Sequence, residues 1–242
     1  MQASLCDVKR LLIVLATVIV GVGIVVGSIA LAHYKAQEPK VLRAVADGTY
    51  PMPDGDLPHA KLDMSIYPQS SGAVPGPALT DTFATTVGNG QGWPFYWPST
   101  TLELPANSVV TVTIHQYDSG GTIYNPWLAK PQGVLPGTYT IDGNAVEGVE
   151  PSNVAHTFTI HQYPEGNQPF LFVSVAVPAQ SANAPTDANG YPTKPIDVSF
   201  TFRTGAPGEY VWNCEFPCGN NYIQFGGPMS QRGYMSGTVK VV

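Results

Sequence analysis

Residues 11–32, LLIVLATVIVGVGIVVGSIALA, run for 22 residues without a charged side chain. At about 1.5 Å per residue such a run reaches about 33 Å as a helix, enough to cross the hydrocarbon core of a bilayer. It is read as a transmembrane helix, which places everything after it on one side of a membrane. The competing reading is a secretory signal peptide, since Lys9 and Arg10 precede the run and Ala30-Leu31-Ala32 resembles a cleavage site. The run exceeds the roughly 7–15 apolar residues of a signal's hydrophobic core, which favours a retained anchor. Flanking charge does not orient it, because Lys35, Lys40 and Arg43 answer Lys9 and Arg10 from the other end. A Pro-rich, Lys-poor remainder with a close cysteine pair suits an oxidising exterior. Residues 1–10 are therefore expected in the cytoplasm, 11–32 in the cell membrane as a single pass, and the C-terminal domain outside the cytoplasm.

From Ala44 onward, fifteen acidic residues face six Lys and Arg. A phosphate-binding surface needs clustered cations, so this balance excludes nucleic acid as a partner. The chain holds 25 glycines and 23 prolines with only 12% charged residues, a profile of short strands and turns rather than helix bundles. Residues 33–80, crowded with turn formers such as YPMPDGDLPHA, are expected to be a Pro-rich linker or wrapping arm. Strands are expected at 101–104, 109–115, 156–160, 170–177, 198–202, 210–214 and 238–242. Seven short strands with turn chemistry between them predict an all-β Greek-key sandwich over 81–242. The stretches between His115 and His156 and between Val177 and Asp197 read as loop insertions.

Strand parity assigns faces. In VVTVTIH, Val110, Val112 and Ile114 share one side and His115 falls on the other, as a surface residue. In HTFTIH, His156 shares a side with Phe158 and Ile160, which makes it the histidine expected to look inward, with His161 opposite. Trp212 shares parity with Tyr210 and Cys214 and is expected in the core. Neither a G-x-S-x-G elbow nor an H-E-x-x-H helix occurs, which disfavours an independent hydrolase.

Four phrases occur in a telling order: WPFYWP at 93–98, LELPANSVVTVTI at 102–114, NVAHTFTI at 153–160 and CEFPCGNNY at 214–222. Together with the N-terminal span they resemble the extracytoplasmic cupredoxin domain of subunit II of haem–copper terminal oxidases. In that family the last loop runs Cys-x3-Cys-x3-His-x2-Met and, with an upstream histidine, holds the dinuclear CuA centre. The resemblance maps His156 onto the first histidine and Cys214 and Cys218 onto the bridging thiolates. Tyr222 stands where the second histidine belongs and Phe225 where the methionine belongs, while Met229 and Met235 could supply a thioether only from a rebuilt loop. Copper electron-transfer sites combine thiolate with imidazole, typically two His and one Cys, so the set is short of its pattern.

Two readings of the pair follow. Cys214 and Cys218 close a disulfide, which the sequence favours, or they join His156 and Met229 in an unorthodox copper site; two buried thiols are the remaining case. On the favoured reading no cofactor is bound, with copper as the alternative. The WPFYWP cluster is expected to pack against a membrane partner. The resemblance implies a non-catalytic, membrane-anchored subunit of a cytochrome c or quinol oxidase, partnered by haem-bearing membrane-embedded subunits and the lipid bilayer. A tethered mononuclear-copper electron carrier is the alternative, and a cupredoxin-shaped scaffold in an unrelated membrane complex is a further one.

Overall fold

The structure, a computed structural model, describes residues 5–35, 41–68, 93–121, 124–164, 167–188, 191–218 and 227–242. Two units divide the chain, Met1–Glu38 and Pro39–Val242. Among the described residues the first contains one α-helix, α1 (Leu5–Lys35), whose Lys9–Ala30 portion is long and apolar enough to cross a membrane.

The second unit is an all-β Greek-key sandwich, with thirteen strands among the described residues. One sheet has the order β1 (Val41–Arg43), β5 (Thr101–Leu104), β13 (Ser236–Val241), β12 (Gly208–Asn213), β9 (Val154–His161), β10 (Val173–Pro178). The other runs β2 (Val45–Tyr50), β3 (Leu57–Tyr67), β6 (Val109–Gln116), β11 (Ile196–Arg203), β7 (Thr140–Ile141), β8 (Asn144–Ala145), and β4 (Phe95–Trp97) pairs with β3. The chain passes from β6 in one sheet to β9 and β10 in the other, back to β11, and over again to β12, the Greek-key crossing expected from the sequence. All seven predicted strands are present, each within a few residues of its expected bounds.

The inner faces follow from alternation. Along β6, Val110, Val112 and Ile114 are fully buried while Thr111, Thr113 and His115 are half-buried, as side chains of successive residues must be on a pleated strand. His115 leaves the core and binds Asp197 through Nδ1 at 2.7 Å. Strand β9 departs from alternation: its residues from Val154 to Ile160 are all buried, so both of its faces are covered. Its outward threonines are satisfied by hydrogen bonds, Thr159 Oγ1 to Ser174 Oγ at 3.1 Å and Glu215 N to Thr157 Oγ1 at 2.8 Å.

Three expectations change. Residues 41–67 are not linker: β3 lies parallel to β6 from His59↔Val109 to Ile66↔Gln116, and β2 pairs with β3 across a bulge. Their prolines fall at strand ends and turns, where a missing N–H costs no ladder bond. The stretch between His115 and His156, read as a loop insertion, contains the β7–β8 hairpin that extends the second sheet through β11. The WPFYWP cluster is largely taken up inside its own domain: Trp93 to Tyr96 are buried, and Trp97 and Pro98 are partly exposed. Trp93 and Phe95 cluster with Tyr234, while Tyr96 enters the main core edge-on to Trp212, with ring centroids 4.8 Å apart.

Trp212 is fully buried, lies 5.0 Å from Phe158 by ring centroid, and donates from Nε1 to the carbonyl of Thr100 at 2.8 Å. Trp212→Ala is expected to cost roughly 3–5 kcal/mol, because it opens a cavity between the rings of Tyr96 and Phe158. Urea unfolding of the full chain in detergent measures this, and a loss under about 1 kcal/mol would show that the rings close over the gap.

Candidate metal centre

Three donor side chains meet where β9 passes β12 and the loop beyond it. His156 comes from β9, Cys214 follows the last residue of β12, and Cys218 lies four residues on. One ligand atom from each falls within 4.8 Å of the others, and all three residues are buried. The β9–β12 pairing, with Asn213 opposite Thr159, sets this meeting. It carries the strand end past His156, two pleats along β9, and Thr157 N donates to Cys214 Sγ at 3.4 Å.

The cysteines are free, with their sulfurs 3.7 Å apart. A disulfide holds its sulfurs at about 2.05 Å, so the staple favoured by the sequence is not formed here. Two metal–sulfur bonds of about 2.3 Å at trigonal to tetrahedral angles separate their sulfurs by roughly 3.8–4.0 Å, close to the spacing seen. The carbonyl oxygen of Phe216 lies 3.2 Å from Cys214 Sγ and accepts its S–H in the protonated form.

His156 is fully buried, and only its Nε2 makes a hydrogen bond of good geometry. Its Nε2 meets Asp118 Oδ2 at 2.7 Å, while Nδ1 is buried without a hydrogen-bond partner of good geometry. Nδ1 carries a lone pair only once the imidazole is neutral, and it is then left in a closed core without a hydrogen bond. It is a ready ligand atom.

Charge is distributed unevenly over the three donors. Burial alone would push His156 down, yet Asp118 and Cys214 override it and hold the imidazole up at about 9. Burial would also raise Cys214, but hydrogen bonding from Cys218 and His156, the imidazolium charge and the Thr157 amide bring it well below an ordinary thiol. Cys218 goes the other way, raised well above its ordinary value by its hydrogen bond to Cys214 and by burial. Asp118 stays low despite burial because His156 and the backbone amides of Gly120 and Ser119 bind its carboxylate. The metal-free site thus favours negative charge on Cys214 and positive charge on His156 over a proton lost from Cys218. A low thiol beside a carboxylate-bound imidazole also describes an activated nucleophile, but Cys214 is 1% exposed and His156 0%, which closes the sulfur to substrates.

Of the residues expected at the site, His156, Cys214 and Cys218 come together. Met229 sits in the 3-10 turn Pro228–Ser230 and packs, partly buried, against the core cluster that contains both cysteines. Tyr222 and Phe225 lie outside the described residues. His161, as expected, points away and binds Asn213 Oδ1 at 3.0 Å. Asp118 was not anticipated from the sequence. The only local signal is the turn-forming DSGG at the close of β6, which does not say what the aspartate reaches.

The donor set suits a soft ion. Two thiolates and one imidazole favour Cu(I) or zinc over hard cations, and among the described residues no second imidazole joins them to complete a blue-copper or CuA pattern. One metal ion fits the group. The expectation that no cofactor is bound is opposed by this cluster.

No family model matches the chain, and no curated protein matches it. Solved structures similar to it are cupredoxins. Auracyanin B shares 16% identity over 82% of this chain and 97% of that one, with a TM-score of 0.32. Reduced rusticyanin shares 14% over 76% of this chain and 84% of its own, at 0.34. Rusticyanin from Thiobacillus ferrooxidans shares 13% over 76% and 82%, at 0.32. At TM-scores of 0.32 to 0.34 these likenesses decide nothing about this chain, and both the fold and the chemistry of the site rest on its own residues.

Proposed function

We propose that the protein is a membrane-tethered copper protein of the cupredoxin class, in which His156, Cys214 and Cys218 hold a single copper ion outside the cytoplasm. The observation that carries this reading is the pair of free sulfurs 3.7 Å apart beside the unpartnered, fully buried Nδ1 of His156. Copper bound there would supply one-electron chemistry, and two thiolates would bias it towards the reduced state. The protein's own part is to keep the donors dry, fixed and close together, so that little rearranges when the charge at the site changes. The helix Leu5–Lys35 supports attachment to a membrane.

Full-length protein purified under nitrogen from copper-replete cells is expected to hold about one copper per chain. Copper-free protein with no free thiol at positions 214 and 218 would contradict the proposal. A second reading, a structural subunit II-like component of a respiratory terminal oxidase, is favoured by the order of the four sequence phrases and by Tyr222 in place of a second histidine. It predicts co-purification with haem-bearing membrane subunits whether or not copper is present, which the tethered-carrier reading does not require.

A further inference from the structure

The carboxylate of Asp118 is more tightly held than an incidental ion pair requires. Its residue is 8% exposed, and its backbone is clamped from two directions: Gln116 Nε2 and Gln180 N both donate to the Asp118 carbonyl, at 2.8 and 3.0 Å. Gln116, itself fully buried, also accepts from Asp118 N at 3.3 Å. The carboxylate then receives the amides of Ser119 and Gly120 and, from across the sandwich, the Nε2–H of His156 at 2.7 Å. Gly120 makes the close approach possible. It has φ +56°, and a Cβ there would come within 2.6 Å of the Ala155 Cβ and 3.4 Å of His156 Nε2. Only a residue without a side chain lets this turn lie flush on β9.

We infer that Asp118 is the positioning residue of the centre: by holding the imidazole proton on Nε2 it leaves Nδ1 of His156 as the atom that binds metal. This inference rests on the metal reading of His156, Cys214 and Cys218. The reason is stereochemical. A neutral imidazole has one lone-pair nitrogen, and whichever nitrogen is engaged by an acceptor keeps the proton. An acceptor on Nε2 therefore selects the tautomer and fixes the ring plane, as carboxylates commonly do behind ligating histidines.

The test uses the full chain in detergent and Cu(I) as probe, with three proteins compared: unaltered, Asp118→Asn and Asp118→Leu. Asparagine keeps an acceptor oxygen for Nε2–H and leucine does not. Competition with a chromophoric Cu(I) chelator is expected to show Asp118→Asn within a few-fold of the unaltered protein and Asp118→Leu weakened by about 10–100-fold. Long-range 15N–1H spectra of histidine-labelled, Cu(I)-loaded protein are expected to place the His156 proton on Nε2 in the unaltered protein and in Asp118→Asn, and to lose that preference in Asp118→Leu. Equal Cu(I) affinity in Asp118→Leu, or a proton on Nδ1 in the unaltered protein, overturns the inference. If the unaltered protein takes up no Cu(I), the metal reading fails, and the same spectra on metal-free protein above pH 10 decide the positioning claim alone: a proton on Nε2 sustains it and one on Nδ1 ends it.

Discussion

Cys218→Ser is expected to reduce Cu(I) affinity by well over a hundredfold, and Cys214→Ser to do the same. Loss of an orienting partner behind a ligand costs about 10–100-fold, and loss of the ligand itself costs more. Serine is close in size to cysteine, but its hydroxyl does not ionise near neutral pH and its oxygen is a hard donor that copper(I) does not favour. Only three residues separate the cysteines, and their sulfurs lie 3.7 Å apart, so the two donors act as a chelate and removing either leaves the other with His156 alone. Cys6→Ser, at the N-terminal end of the chain, is expected to leave affinity unchanged. Chelator competition on the three variants measures this. If neither substitution weakens Cu(I) binding, and each instead lowers stability by the roughly 2–4 kcal/mol typical of a lost disulfide, the pair is a staple and the metal reading is wrong.

Metal binding is expected to release between two and three protons at pH 6 and to strengthen at least about a hundredfold for each pH unit from 6 to 8. A ligating His and Cys must give up their protons, so the release counts those the metal-free site still holds. His156, held up at about 9, keeps its proton throughout that range, and Cys218, raised by Cys214 and burial, keeps its own. Cys214, brought low by hydrogen bonds from Cys218 and His156, holds its proton less firmly than an ordinary thiol and adds less than a full one. The sign follows: a proton retained in the metal-free form opposes binding, so affinity falls as pH falls, by one power of ten per pH unit for each such proton. The His156 share ends as pH rises through about 9, where the metal-free imidazole is already neutral. An unperturbed His, Cys and Cys set, with a histidine near 6.5 and thiols near 8.5, would release close to three protons at pH 6. Calorimetry with Zn(II), a redox-inert ion that accepts the same donors, in buffers of different ionisation enthalpy, gives the count directly. A value near three would mean that Cys214 is an ordinary thiol.

Alternation made the sandwich legible before any coordinates, because β6, β9, β11 and β13 carry enough Val, Ile and Phe at period two to declare their inner faces. The same logic placed His156 inward and His115 and His161 outward, and all three stand so. Strands β2 and β3 were hidden because Pro58 and Gly48 carry turn chemistry, and pairing with distant β6 overrode that local signal. The WPFYWP stretch was legible as aromatic but not as internal: burial of Tyr96 against Trp212 and Phe158 depends on contacts more than fifty residues away. For the site, residue types and order identified three donors, but not whether the sulfurs bond to each other. Nor could they reveal Asp118, because its link to His156 spans 38 residues and exists only once the turn at Gly120 seats on Ala155.

The most direct measurement is copper K-edge X-ray absorption on the full chain, purified under nitrogen and paired with metal analysis and thiol counting. The account predicts one copper per chain with two sulfur scatterers at roughly 2.2–2.3 Å and one nitrogen at about 2.0 Å. Protein without copper whose two core sulfurs are bonded to each other, or copper in a shell that contains no sulfur, would contradict it.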